Sequence, residues 1–263
     1  MSAATSTGRR GRVHREVEQV MGMPVSLALR GRHAGDERGR AAWATALSWL
    51  REVDRVFSTW RDDSVISRLG RGEIGLEACP PEVAEVLALG ERARVESGGA
   101  FDVHHRGADG RRGLDPTGVV KGWAVDRAAS CFADLADTDY CLSAGGDMVC
   151  HVADPDAPSW QVGIEDPRAW QRIVAVVPVR DGAVATSGLH RRGAHIVDAR
   201  SGAVPAGVAS VTVVAGSLTW ADIDATAAFA RDQDALRWLQ TRPDRAGVVV
   251  WVDGTARVFG HPH

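Results

Sequence analysis

One stretch, residues 114–127, carries polar residues at a spacing suited to binding an anion. Pro116 is typical of a helix start, which would place Asp115 and the Gly118 backbone at the helix N-terminus, with Lys121 in the next turn. Unpaired N–H groups and the helix dipole at such an end attract anions such as phosphates. Lys121 is the only lysine among the 31 Lys and Arg residues. An amphipathic helix with an exposed lysine would explain the same residues, so both interpretations stay open.

A second candidate site lies near the C-terminal end of the sequence. Asp222 and Thr226 are four residues apart in a predicted helix that Thr219 is expected to cap, so their oxygens share one helical face. A carboxylate beside a hydroxyl suits Mg²⁺, which takes few protein ligands and relies on water and phosphates for the rest. Acidic residues near a helix start also stabilise the helix dipole without binding anything, and this remains the alternative.

The surrounding sequence predicts helices separated by short strands. Apolar residues recur at three- and four-residue spacing over 36–57, 82–96 and 114–135, which predicts three amphipathic helices. The predicted strands are short with polar ends, a pattern that favours antiparallel or mixed sheets over a purely parallel one. We therefore predict an α+β fold with mixed, mostly antiparallel sheets and packed helices. The absence of a linker or repeat predicts a single domain over 13–263.

Composition narrows the class of protein. Hydrophobic residues make up 44% and charged residues 25% of the 263 residues, and the net charge of −3 gives no sign of a nucleic-acid or membrane surface. The sequence contains no apolar run long enough for a transmembrane segment. Neither a signal peptide nor a lipidation motif is visible near Met1, so a disordered tail over 1–12 and a cytoplasmic location are expected. The polar segment 104–113 is predicted to be a solvated loop.

Several stretches occur in an order that resembles the ApbE family, the FAD:protein FMN transferases or flavin transferases. The resemblance runs from about residue 20 to 230. The stretches that carry it are Met21-Gly22, Phe57–Trp60, Asp63–Arg68, Gly98–Asp102, Asp115–Asp126, Gly145–Asp147, Ala185–Gly188, His195–Asp198 with Ser201-Gly202, and Ala221–Thr226.

The resemblance implies a reaction and its partners. FAD would be split at its diphosphate, FMN would be joined through a phosphoester bond to a Ser or Thr hydroxyl of a target protein, and AMP would leave. Mg²⁺ would be required, and the target would carry an Asp-x-x-Ser/Thr-type motif. Such transfer depends mainly on positioning and charge neutralisation, which agrees with the interpretation of the two candidate sites.

The resemblance also implies roles for individual residues. His195 matches the family's histidine near the reacting phosphate, where a neutral imidazole can accept the proton of the target hydroxyl. With Asp222 it forms the expected catalytic set. The expected Mg²⁺ ligands are the Gly118 carbonyl, Asp222 and Thr226, and the expected FAD contacts are Met21, Trp60, Asp115, Lys121 and Ile196.

Two other functions stay open, and one departure from the family motivates the second of them. The segment 104–113 is shorter and more polar than the family's, so it lacks apolar residues that would contact a flavin ring. An FAD pyrophosphatase would use the same metal site to release FMN and AMP to water. A non-catalytic FAD-binding or delivery protein would use the nucleotide contacts alone.

Overall fold

A computed structural model of the chain describes residues 13–106, 112–188 and 196–260. None of the helices within these ranges is both long and apolar enough to cross a membrane. The strands are β1 (His14–Val20), β2 (Met23–Gly31), β3 (His104–Arg106), β4 (Arg112–Leu114), β5 (Thr138–Ala144), β6 (Asp147–His151), β7 (Trp160–Asp166), β8 (Ala169–Val179), β9 (Gly182–Gly188), β10 (Val208–Ala215), β11 (Ala246–Trp251) and β12 (Ala256–Phe259). The helices are α1 (Glu37–Phe57), α2 (Val65–Gly70), α3 (Pro81–Glu96), α4 (Thr117–Ala129), α5 (Leu218–Ala230) and α6 (Ala235–Leu239).

In the described part of the chain, eight strands form one sheet in the order β1-β2-β5-β6-β9-β10-β11-β12. Every neighbouring pair in this sheet is antiparallel, which confirms the predicted α+β fold with mostly antiparallel pairing. Gly145 and Gly146 join β5 to β6 with φ of 59° and 100°, as a two-residue hairpin turn requires. This turn places Asp147 at the first position of β6.

Helices cover one face of the sheet and a two-stranded ribbon covers the other. Helix α4 packs on β5 and β6, α5 packs on β9 and β10, and α1 packs on α4. Along β9, Ala183 and Ala185 join the core under the helices, whereas Val184 packs with Val162 and Val179 of the β7–β8 ribbon. This alternation follows from the two-residue period of a strand. The main core is thus continuous from the sheet to α1, α4 and α5.

Two local expectations from the sequence are wrong. The segment predicted to be a solvated loop contains strands β3 and β4, which pair with each other from His104 opposite Leu114. The pairing is continued by the Asp115 amide, which donates to the Val103 carbonyl at 2.8 Å. At α5, Ser217 and not Thr219 is the N-cap, because the Ser217 hydroxyl accepts a hydrogen bond from the Trp220 amide.

Candidate active site

A cleft of about 260 Å³ opens where the first turn of α4 and the side of α5 approach the ends of the strands. Segments 100–102 and 196–199, the turn residue Gly145 and the end of β9 complete its walls. Its polar lining is rich in carboxylates and hydroxyls. The polar and charged residues that line the cleft are Asp102, Asp115, Thr117, Lys121, Thr186, Ser187, Asp222 and Thr226.

The first turn of α4 forms one wall of the cleft. The helix begins at Thr117, whose amide donates to Asp115 Oδ1 at 3.0 Å. Gly118 follows, and a Cβ atom at this position would lie 2.9 Å from the Phe101 ring. Glycine therefore allows the backbone and this ring to approach each other. A helix N-terminus in a cleft wall favours an anionic ligand such as a phosphate.

Lys121 bridges two buried carboxylates beside this turn. Its ammonium group contacts Asp147 of β6 and lies 3.2 Å from Asp222 Oδ1 of α5. Burial acts to lower the pKa of Lys121, but the two carboxylates more than offset this, so its pKa is raised and it stays charged. Asp147 is fixed from its other side, because its Oδ1 accepts the Thr186 amide at 2.9 Å. A charged ammonium group is thus held between two carboxylates in the cleft wall.

Asp222 retains an oxygen that no group in the described residues satisfies. Its side chain is 4% exposed, and its Oδ2 is buried without a hydrogen-bond partner. Burial raises its pKa to about 6, opposed by Lys121 and assisted by Asp147. A buried carboxylate oxygen without a partner is costly, so a native structure that retains one points to a missing cation or donor.

The residues around this oxygen fit a Mg²⁺ ion. Thr226 and Gly118 line the same cleft as Asp222, and the Thr226 hydroxyl is 3.0 Å from the Ser187 hydroxyl. Within the described ranges, no cluster of three or more His, Cys, Asp or Glu side chains could hold a metal. Mg²⁺ does not need such a cluster, because it accepts one carboxylate with hydroxyl, carbonyl, water and phosphate oxygens.

Helices α4 and α5, which carry these residues, are joined at two points. A Cβ atom at Gly122 would lie 2.6 Å from the Leu218 carbonyl oxygen, so only glycine permits this approach. One turn later, Asp126 accepts three hydrogen bonds from the start of α5: Leu218 N at 2.8 Å, Thr219 N at 2.7 Å and Thr219 Oγ1 at 2.6 Å. With the Ser217 cap, the carboxylate satisfies the first amides of α5. The spacing between Gly118 and Asp222 is therefore fixed by structure outside the cleft.

The structure brings together most of the residues singled out from the sequence. Asp115, Gly118, Lys121, Ile196, Asp222 and Thr226 all line the one cleft. Met21 lies in the β1–β2 turn with a φ of 55° and packs against the core, and Trp60 follows α1 and is 95% exposed. Neither of them is among the described residues that line the cleft. His195 lies outside the described residues, as does the tail 1–12. The roles expected of these residues stay predictions.

Several cleft residues were given no role by the sequence analysis. Asp147 pairs with Lys121 from 26 positions away, and Ser187 contacts Thr226 from 39 positions away. Phe101 packs over Gly118 from a separate segment. Their stretches are among those that carry the resemblance, so motif order was the available signal. The residue types alone gave no indication of these contacts.

Comparison with known proteins now assigns the family. The sequence model of the ApbE family matches residues 21–107 and 104–250, so the chain belongs to this family. Among solved structures, the ApbE protein of Thermotoga maritima superposes with a TM-score of 0.80 at 21% identity, covering 94% of this chain and 97% of that one. The apo flavinyl transferase ApbE of Pseudomonas stutzeri gives 0.80 at 21% identity over 95% of each chain. Both show the same fold.

Curated relatives are named FAD:protein FMN transferase. The protein of Vibrio cholerae is 32% identical over 119 residues, which are 41% of this chain and 36% of that protein. The protein of Rhodobacter capsulatus is 25% identical over 272 residues, which cover 100% of this chain and 47% of that protein. The chain thus spans less than half the length of these two relatives.

Proposed function

We propose that this chain is a Mg²⁺-dependent FAD:protein FMN transferase. It would attach FMN through a phosphoester bond to a Ser or Thr of a target protein and release AMP. The observation that carries the proposal is the buried, unpaired Asp222 Oδ2 beside the charged Lys121 in one cleft. A lone carboxylate oxygen suits a divalent cation, and a neighbouring ammonium suits the phosphates of a dinucleotide. Membership of the ApbE family and the names of the relatives support it.

The proposal gives roles to the residues singled out from the sequence and to Asp147. The Gly118 carbonyl, Asp222 and Thr226 would hold the Mg²⁺ ion, which supplies charge neutralisation for the diphosphate when bound. Lys121 would bind a phosphate oxygen, and the N-terminus of α4 with Asp115 would orient the nucleotide. Ile196, Met21 and Trp60 would contact the remainder of FAD. Asp147 would hold the Lys121 ammonium in place.

The transfer step needs one proton acceptor. The target hydroxyl oxygen would attack the phosphorus on the FMN side of the diphosphate, and the bond from that phosphorus to the bridging oxygen would break. AMP would leave with the bridging oxygen, and the hydroxyl proton would pass to His195, the residue at the family's histidine position. The Lys121 ammonium would donate to a phosphate oxygen, and a cation held at Asp222 would neutralise negative charge that develops there.

The test is intact-mass spectrometry of an acceptor protein that carries an Asp-x-x-Thr segment, incubated with this chain, FAD and MgCl₂. A gain of one FMN moiety that is lost with EDTA or in Asp222→Asn is expected. Asp134→Asn, at an exposed position, is the matched control and should keep full activity. FMN and AMP without a gain in acceptor mass would replace the proposal with an FAD pyrophosphatase. Tight FAD binding without turnover would leave a delivery protein.

A further inference from the structure

A second cleft of about 200 Å³ is lined by Asp147, the residue that contacts the Lys121 ammonium. It shares Gly145, Thr186 and Gly188 with the first cleft, so the two border each other at the end of β9. Its remaining walls come from the β5–β6 turn and the start of β6, the end of β7 with the loop after it, and the start of β10. Four glycines and Ala209 contribute to this lining, together with the carboxylates of Asp147, Glu165 and Asp166.

Ser210 of β10 marks this second cleft as a site for a polar ligand. The residue lines the cleft and is 4% exposed, and its hydroxyl has no hydrogen-bond partner among the described residues. Buried hydroxyls in native proteins are almost always bonded, so an orphan in a cleft wall calls for an incoming donor or acceptor. The sequence analysis gave Ser210 no role.

The edge of β9 that faces this cleft is incompletely paired in the described residues. Strand β6 pairs with β9 only from Cys150 opposite Gly182 to Met148 opposite Val184. Beyond that point the Thr186 amide is bonded to the Asp147 carboxylate. The N–H and C=O of one strand residue point to the same side of the strand, so the Thr186 carbonyl faces the β6 side as its amide does. Gly188 is two residues further on, so its N–H and C=O face that side also. An extended peptide can add to such an edge by main-chain hydrogen bonds.

We propose that the second cleft binds the acceptor polypeptide as an extended segment along the Thr186–Gly188 edge of β9. A polar group of the segment bonds the Ser210 hydroxyl, and the Ser or Thr to be modified lies at the junction of the two clefts, beside Asp147. The inference rests on the proposed function, because it assigns a place to the acceptor of that reaction. FAD occupies the first cleft and the acceptor reaches its phosphate from the second. Hydrogen bonds between the main chain of β9 and that of the segment account for recognition of the segment by its backbone.

Two substitutions test the second cleft without altering the first. Ala209 is half-buried and lines the second cleft but not the first, so Ala209→Phe adds a phenyl ring at the wall of the second cleft alone. Ser210→Ala removes the orphan hydroxyl with little change in volume. Ala256→Phe, at an exposed position of the edge strand β12, is the matched control for adding a phenyl ring. Binding of a fluorescein-labelled acceptor peptide is measured by anisotropy, and FAD binding with Mg²⁺ by flavin fluorescence, on the full chain.

The expected result separates the two ligands. Ala209→Phe should weaken peptide binding and raise the acceptor KM by at least about tenfold, and Ser210→Ala should do so by about fivefold, the value of one hydrogen bond. Both should leave the Kd for FAD within about twofold of the unaltered chain. Equal peptide binding by Ala209→Phe and the control, or no peptide binding by the unaltered chain, would overturn the inference. Loss of FAD affinity in step with peptide affinity would assign the cleft to the flavin nucleotide instead.

The peptide measurement is independent of turnover. If the unaltered chain binds the peptide and Ala209→Phe does not, but no FMN is transferred, the proposed function fails and the peptide site stands. If FMN is transferred equally by the unaltered chain, both variants and the control, the proposed function stands and the peptide site fails. Thermal unfolding of each variant identifies any loss of peptide binding that is caused by misfolding. If Ala209→Phe is misfolded, peptide binding by Ser210→Ala decides whether the second cleft binds the peptide.

Discussion

Replacement of Asp126 tests whether the candidate site depends on the bonds between α4 and α5. The Asp126 carboxylate accepts two amides and one hydroxyl from the first turn of α5, at 2.6 to 2.8 Å. It lies on α4 behind the cleft and does not line it. Asp126→Ala would leave the amides of Leu218 and Thr219, both buried, without their partner. The change therefore removes support for Asp222 without touching the cleft.

The size of the effect follows from these three bonds. A hydrogen bond to a charged group contributes about 1.5–3 kcal/mol, and loss of a helix cap costs about 0.5–2 kcal/mol. Because bonds that share one carboxylate are not additive, we expect Asp126→Ala to lower the free energy of unfolding by about 3–4 kcal/mol. Asp126→Asn retains one acceptor oxygen and should lose about half as much. A loss of 3 kcal/mol corresponds to a fall in Tm of roughly 6–12 °C for a chain of about this size.

Urea unfolding followed by tryptophan fluorescence measures the effect, with exposed Asp134→Ala as the matched control. Mg²⁺ titration of FAD binding then measures the effect on the site. We expect Asp126→Asn to remain folded, to need more Mg²⁺ for half-maximal FAD binding, and to recover wild-type FAD affinity at saturating Mg²⁺. A free energy of unfolding for Asp126→Ala within about 1 kcal/mol of the unaltered chain would refute the reasoning, because the three bonds would then contribute nothing.

Three further predictions concern the cleft itself. Mg²⁺ at 100 times its Kd should stabilise the unaltered chain by about 2.7 kcal/mol, which a thermal-shift assay measures. The same assay should detect no such effect in Asp222→Asn. An equal shift in both proteins would place the ion elsewhere. Lys121→Met leaves two buried carboxylates without their cation. Urea unfolding should therefore show a free energy of unfolding lower by about 3–5 kcal/mol, and flavin fluorescence should show weaker FAD binding. Unchanged values would contradict the pairing. Gly122→Ala should lower the free energy of unfolding in urea by about 1–3 kcal/mol, because the new Cβ would meet the Leu218 carbonyl oxygen. Gly216→Ala, whose Cβ would meet nothing within 4 Å, should cause no such loss. Similar losses in the two variants would argue against close helix packing.

Local signals in the sequence were sufficient for the helices and for part of the site. The periodic stretch over 36–57 forms a helix from Glu37 to Phe57, and Pro116 stands just before α4 as a helix start should. These features depend on residues a few positions apart, which propensity and periodicity report. For the same reason the sequence placed Asp115, Gly118 and Lys121 together.

Contacts between distant segments could not be obtained in this way. The partner of Lys121 is set by the order of strands in the sheet, which brings the turn before β6 next to α4 and α5. The cap of α5 was misplaced because Thr219 is a good cap by residue type, while its amide and hydroxyl are in fact bonded to Asp126 of another helix. Tertiary bonding thus overrode the local preference. Residue types alone did not reveal the second cleft, since its lining comes from four separate segments of the chain.

The close contact at Gly122 and the Asp126 bonds also bear on how the cleft admits a large ligand. Helices α4 and α5 are joined in two places, so they are expected to move as one rigid body. The Gly145-Gly146 turn joins two strands of the sheet on which α4 packs, and Asp147 beside the turn is bonded to Lys121 of this body. Entry and exit of ligand are therefore expected to move the Gly145-Gly146 turn, which borders the cleft, more than they change the separation of Gly118 and Asp222. Hydrogen exchange should then be slow at the Leu218 and Thr219 amides and faster at the turn.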